Sequence, residues 1–159
     1  MARQKIPILK TAYILYLAKI AEFLLKNKLF TKFRDDCPKG SFFRTDKHND
    51  VCLYIEGGNA PSLGAMYRLF KEADKSYRSS EEPFVTKFRD FISSGKVGSP
   101  KILRDRKFID QLGELARLRN SVAHIDESDV DSFMGSLSIV LKENEPGLIF
   151  QAFLDENEV

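Results

Sequence analysis

Apolar side chains recur every three or four residues near the start of the chain, at Ile14, Leu17, Ala18, Ala21, Leu24, Leu25 and Phe30. That spacing is the α-helical period, and it predicts an amphipathic helix over residues 8–33 with these residues on one face. Pro7 stands at its start, where a missing N–H costs nothing. A stripe of that length must be covered by other helices, so the expected architecture is a bundle. The same stretch carries Lys10, Lys19 and Glu22, too many charges for a lipid-facing span, and it lacks the small-residue cleavage site of a signal peptide. A cytoplasmic chain without membrane contact, its Cys37 and Cys52 reduced, is therefore expected.

Further helices are predicted over residues 62–76, with Ser62 as N-cap, and over 82–94, with Phe84, Phe88, Phe91 and Ile92 on one face. Two more follow over 100–124 and 126–144, and a short one over 148–154. The run Asp126, Glu127, Asp129 suits the positive end of the helix it would open. Residues 34–60 read as an irregular or short-strand insertion. Residues 41–44 and 51–56 suit short extended pieces, and the apolar run 51–55 suits a strand. Gly57, Gly58, Asn59 and Pro61 form a turn cluster. The expectation is an all-α bundle of roughly five or six helices in one domain over residues 1–159. A chain of 159 residues that is 43% hydrophobic is large enough for one such core.

The net charge of +2 hides a segregation. Residues 126–159 hold 9 acidic side chains and 1 basic one, so residues 1–125 carry the whole basic excess. Such a body can bind a polyanion without being uniformly basic.

The predicted helix over 100–124 carries the most information. Phe108, Leu112, Leu115, Leu118 and Val122 make a continuous apolar stripe, and Arg119 falls inside it, about 20° from Phe108. A guanidinium there must snorkel, pair with a carboxylate, or face something polar across an interface, because burying an unpaired charge is costly. Asn120 and His124 lie one turn apart on a polar side. On an unbroken helix Arg119 and His124 stand about 140° apart. They converge if the helix frays, if the Arg curls round, or if a two-fold axis brings in a second copy.

The string Leu118-Arg119-Asn120-Ser121-Val122-Ala123-His124 resembles the signature of the HEPN superfamily (higher eukaryotes and prokaryotes nucleotide-binding): Arg, a polar residue, three further residues, then His near a helix end. Residues 61–66, Pro-Ser-Leu-Gly-Ala-Met, are similar to the loop-to-helix segment upstream of it in many members. The resemblance covers most of the chain, with residues 35–59 as a local elaboration. It implies a helical, dimeric, metal-independent endoribonuclease with Arg119, Asn120 and His124 as site residues. It also implies a toxin-like or anti-phage setting in which an antitoxin or regulatory protein restrains the activity. In the branch controlled by a nucleotidyltransferase antitoxin, a Tyr follows two residues after the His. Asp126 stands there in this chain, so that modification is not expected.

The residue types suit the implied chemistry. RNA supplies its own nucleophile, the 2′-hydroxyl. His124 can move protons near neutral pH, and Arg119 can hold fixed positive charge on the phosphorane-like transition state. Products with a 2′,3′-cyclic phosphate and a 5′-hydroxyl are expected. Lys101, Arg104, Lys107 and Arg117 are candidate RNA-backbone contacts, and Tyr67, Tyr77 and Phe43 candidate stacking residues. Two alternatives stand beside this reading. In one, His124 caps a helix, Arg119 pairs with a carboxylate, and the chain is a non-catalytic homodimeric interaction module. In the other, it is a nucleotide-sensing accessory subunit.

No cofactor and no metal site are expected. His48 and His124 are far apart in sequence, the two cysteines lack C-x-x-C spacing, and a zinc site would need ligands drawn from all over the chain. The acidic run after residue 125 lacks the Gly and the terminal Glu of a calcium loop. The Gly57-Gly58-Asn59 turn lacks the Gly-Lys-Ser/Thr of a phosphate-binding loop.

Overall fold

The computed structural model describes residues 2–37, 44–74, 82–121, 141–142 and 145–153. They form an all-α bundle. Helix α1 (Ala2–Leu25) runs through a widened π-turn (Lys26–Phe30) into α2 (Thr31–Asp36). A 3-10 turn (Asp46–His48) leads into α3 (Asn49–Ile55), followed by α4 (Leu63–Ala73) and α5 (Pro83–Ser93). Helices α6 (Pro100–Leu103), α7 (Arg106–Asn120) and α8 (Leu148–Phe153) complete the described helices. A two-residue antiparallel pair joins Leu141–Lys142 to Glu145–Pro146. No helix among the described residues is long and apolar enough to cross a membrane.

Helix α4 is the centre of the bundle and packs on α1, α3, α5 and α7. Its start follows the sequence: Ser62 is the N-cap, and its hydroxyl accepts from the Ala65 amide at 3.2 Å. The stripe predicted on α7 is buried inside the subunit, with Phe108, Leu112, Leu115 and Leu118 all at 0% exposure. The two helices approach closely because position 113 has no side chain. A Cβ on Gly113 would lie 2.5 Å from the Tyr67 ring. Phe30, Phe33, Phe70, Phe84, Phe88, Phe91 and Phe108 interlock at the centre, so the Phe-rich faces are core, as their spacing implies.

The π-turn has identifiable causes. The Thr31 hydroxyl and the Thr31 amide both turn to the Lys26 carbonyl, the hydroxyl at 2.8 Å. The same hydroxyl meets the Tyr54 hydroxyl of α3 at 2.9 Å. These bonds satisfy a carbonyl that the wider turn removes from regular α-helical pairing.

Several boundaries differ from the sequence expectation. Helix α1 starts at Ala2, so Pro7 sits in its second turn, where its missing amide removes one i→i−4 bond. The strand expected at residues 51–55 is helical. Val51, Cys52, Tyr54 and Ile55 are buried and Leu53 is exposed, which is a helical pattern and not a two-residue alternation. Gly57, at φ 102°, and the Gly58 amide, donating to the Leu53 carbonyl at 2.7 Å, close α3 as a Schellman motif. Of the other proposed extended piece, only Arg44 lies within the described residues, and it adopts no strand.

The helix expected over 100–124 is two helices. Asp105 adopts an extended backbone and its carboxylate accepts from the Lys107 amide at 2.9 Å, capping α7 afresh. The helix expected over 126–144 lies mostly outside the described residues, and Leu141–Lys142 at its end are extended. The short helix expected at 148–154 is α8, tied to the body where the Ser99 amide donates to the Ala152 carbonyl at 2.7 Å.

Candidate functional site

Arg119 sits in the last turn of α7, next to the fully buried Leu118. Its guanidinium resolves the conflict with the apolar stripe by pairing: Nε lies 3.2 Å from Oε1 of Glu22 on α1. The same carboxylate oxygen accepts from the Leu63 amide at 3.3 Å, one of the orphan amides that open α4. Glu22 therefore joins the end of α7 to the beginning of α4. Both side chains are partly exposed, 37% for Arg119 and 25% for Glu22, so the pair borders solvent.

The pair borders an open groove of about 400 Å³. Lys19, Phe23 and Lys26 line its α1 side, and Pro61, Ser62 and Met66 line the side of α4. Three cations and the positive end of an eleven-residue helix face one carboxylate, an arrangement that attracts anions. Phe23 is 66% exposed, and Tyr16, two turns earlier on the same helix, is 72% exposed. Exposed rings beside lysines can stack on bases while the lysines hold phosphates.

Asn120 is the last residue of α7 and is exposed. Ser121 leaves the helix with φ −98° and ψ 9°. The 140° between Arg119 and His124 applies to an unbroken helix, and α7 has Asn120 as its last residue. His124 lies outside the described residues, as do Val122 and the stacking candidates Phe43 and Tyr77.

None of the four predicted RNA-backbone contacts lines the groove. Lys101 and Arg104 are exposed on and after α6, and Lys107 is exposed in the first turn of α7, about 18 Å along its axis from Arg119. Arg117 is exposed and bound to Glu114, its Nη2 at 2.6 Å from the carboxylate. Tyr67 is committed to packing against Gly113. From the sequence, Lys19 and Glu22 read only as charges that exclude a lipid-facing span, and Phe23 and Lys26 are given no role. Their i, i+3, i+4, i+7 spacing marks one exposed stripe, and Glu22 is the only acid in the first 34 residues.

A larger hollow of about 610 Å³ lies beside α2 and α5, but its charged lining, Asp36, Asp90, Lys87 and Lys96, is balanced and includes no residue of the Arg119 motif. The two cysteines are free and buried. Burial pushes the Cys37 thiol up to about 11, against the opposing pull of Lys87, and burial also raises Cys52. A raised thiol pKa leaves little thiolate near neutral pH. Native Cys37 is therefore expected to react with a disulfide reagent at pH 8 at least about a hundredfold more slowly than a free thiol. Stopped-flow labelling before and after denaturation checks this.

No protein-family model, no curated protein and no solved structure matches this chain.

Proposed function

We propose that the chain is a HEPN-like, metal-independent endoribonuclease acting as a homodimer, with Arg119, Asn120 and His124 as its site. One observation supports this reading above others. Residues 61–66 and Arg119, both part of the family resemblance, meet at one basic groove, where Glu22 holds both Arg119 and the Leu63 amide. In this proposal the groove takes single-stranded RNA. Lys19 and Lys26 hold phosphates, Phe23 stacks on a base, and Arg119 stabilises charge on the scissile phosphate while His124 transfers protons. The proposed setting is the cytoplasm, as a toxin or anti-phage effector restrained by a partner protein. The proposed dimer does not use the apolar stripe of α7, because Phe108, Leu112, Leu115 and Leu118 are buried within the subunit.

Incubation of the purified protein with mixed RNA in excess EDTA tests the reading. Cleavage is expected to persist and to leave 2′,3′-cyclic phosphate ends, with sedimentation showing a dimer. Circular dichroism in the same buffer separates loss of chemistry from loss of fold. Cleavage lost in EDTA by a folded chain and restored by magnesium overturns the mechanism.

The Arg119–Glu22 pair itself favours a second reading, a non-catalytic helical interaction module. There the Arg is a structural tie, and no RNA is cut under any condition.

A further inference from the structure

We propose that His48, Glu72 and Glu82 bind one divalent transition-metal cation, zinc or manganese. A zinc site in this chain must gather ligands from separate segments, and the fold does so here. His48 ends the 3-10 turn, Glu72 lies in the last turn of α4, and Glu82 is the N-cap residue of α5. One ligand atom from each lies within 4.8 Å of the others. His48 Nε2 and Glu72 Oε2 are 2.8 Å apart. The His48 side chain is 1% exposed, whereas Glu72 and Glu82 are half-buried, so an ion would enter from the side of the two carboxylates.

The donor set fits such an ion. An imidazole nitrogen with two carboxylates suits zinc or manganese, and two negative charges match a dication. Bonds of about 2.1 Å in a tetrahedral site place ligand atoms roughly 3.4 Å apart. The His48–Glu72 pair would open by about half an ångström from its 2.8 Å, a movement within reach of a glutamate side chain. A proton on His48 Nε2, if present, leaves to solvent as the metal takes its place.

The surroundings are already organised. The Thr45 hydroxyl lies 3.0 Å from Glu82 Oε1, a bond that orients this carboxylate from outside the donor set. The His48 ring lies over Phe84, with centroids 6.1 Å apart. The buried Arg89 fixes the end of α4: its Nε donates to the Ala73 carbonyl at 2.7 Å and its Nη2 reaches the Glu72 carbonyl at 3.5 Å. That guanidinium places a positive charge near the site but addresses the Glu72 main chain. The cluster lies at the opposite end of α4 from Ser62, about 15 Å along the axis, so the ion would clamp three segments without touching the Arg119 groove.

The test uses the full-length protein after EDTA stripping and dialysis. Calorimetry with Zn²⁺, and loss of the free Mn²⁺ electron-spin signal, are expected to show one ion per chain and a raised melting temperature. Glu72→Gln and Glu82→Gln keep hydrogen-bonding capacity beside His48 but lose a charged ligand. Each is expected to weaken binding at least about a hundredfold in a folded chain. Absence of binding at micromolar metal, or binding that both variants retain, overturns the proposal. X-ray absorption at the zinc edge of the wild-type chain needs no variant. A shell of nitrogen and oxygen is expected, and sulfur in the shell would assign the ion to cysteine and refute the site.

Discussion

Arg119→Lys is expected to fold and bind RNA yet cleave it at least about tenfold more slowly, and His124→Ala is expected to abolish cleavage. Lysine keeps the charge and the stem but loses the planar fork that grips a phosphate from two sides. Tenfold corresponds to about 1.4 kcal/mol of transition-state stabilisation. The Glu22 pair is partly exposed, so its worth to the fold is only about 0–1 kcal/mol and losing it does not unfold the chain. Glu22→Gln sharpens the comparison. It still accepts from the Leu63 amide but releases the Arg119 charge, so RNA is expected to bind more tightly and in a more salt-sensitive way. Gel-shift titration and single-turnover cleavage separate the two effects. Cleavage at the wild-type rate by Arg119→Lys would mean that charge alone matters. Cleavage at the wild-type rate by His124→Ala as well would remove the site. Full biological function in all these variants without any cleavage would establish the interaction module.

Phe88→Ala is expected to destabilise the fold by about 4 kcal/mol, enough to lower the melting temperature by roughly 10 °C. The Phe88 ring is fully buried and touches three others: Phe30 at 5.7 Å in a stacked arrangement, and Phe33 and Phe70 at 5.2 Å edge-on. Removing it opens a cavity where α2, α4 and α5 meet, and it forfeits three ring contacts as well as its own burial. Phe88→Leu is expected to cost less than half as much, since most of the volume is kept. Phe23→Ala, on the exposed stripe, is expected to move the midpoint by less than about 2 °C. Thermal unfolding by circular dichroism checks all three. A small loss from Phe88→Ala would mean that the surrounding rings collapse into the space.

These two sets of residues also show what could be read from the sequence. The Phe-rich face of α5 and the apolar stripe of α7 were legible, because their periodicity is local and their burial follows from it. Helix α3 was not. Four buried residues out of five leave too little contrast to separate a short helix from a strand, and packing from both sides decides. The break before α7 was missed because Asp105 reads as an ordinary polar residue until its carboxylate is seen to cap the next helix. At the site, the misfit of Arg119 was visible on a helical wheel, but its partner was not. Glu22 lies on a distant helix, and a tertiary ion pair leaves no mark at fixed spacing. The cluster of His48, Glu72 and Glu82 escaped for the same reason, its members being written into three separate elements.

The π-turn gives the long N-terminal helix two independent phases. A turn with i→i+5 bonds absorbs one residue more than an α-turn without rotating either flank. Upstream, Lys19, Glu22 and Phe23 keep their bearing toward the groove, and downstream, Phe33 keeps its bearing toward the aromatic centre. A regular helix containing all the same residues would turn one set about 100° away from its target. Removing one residue within Lys26–Phe30 should therefore be absorbed as plain α-helix, whereas the same deletion at Ala21 would swing everything before it out of register. The surplus residue works as a phase adjuster that lets a groove-lining stripe and a packed interior share one rod.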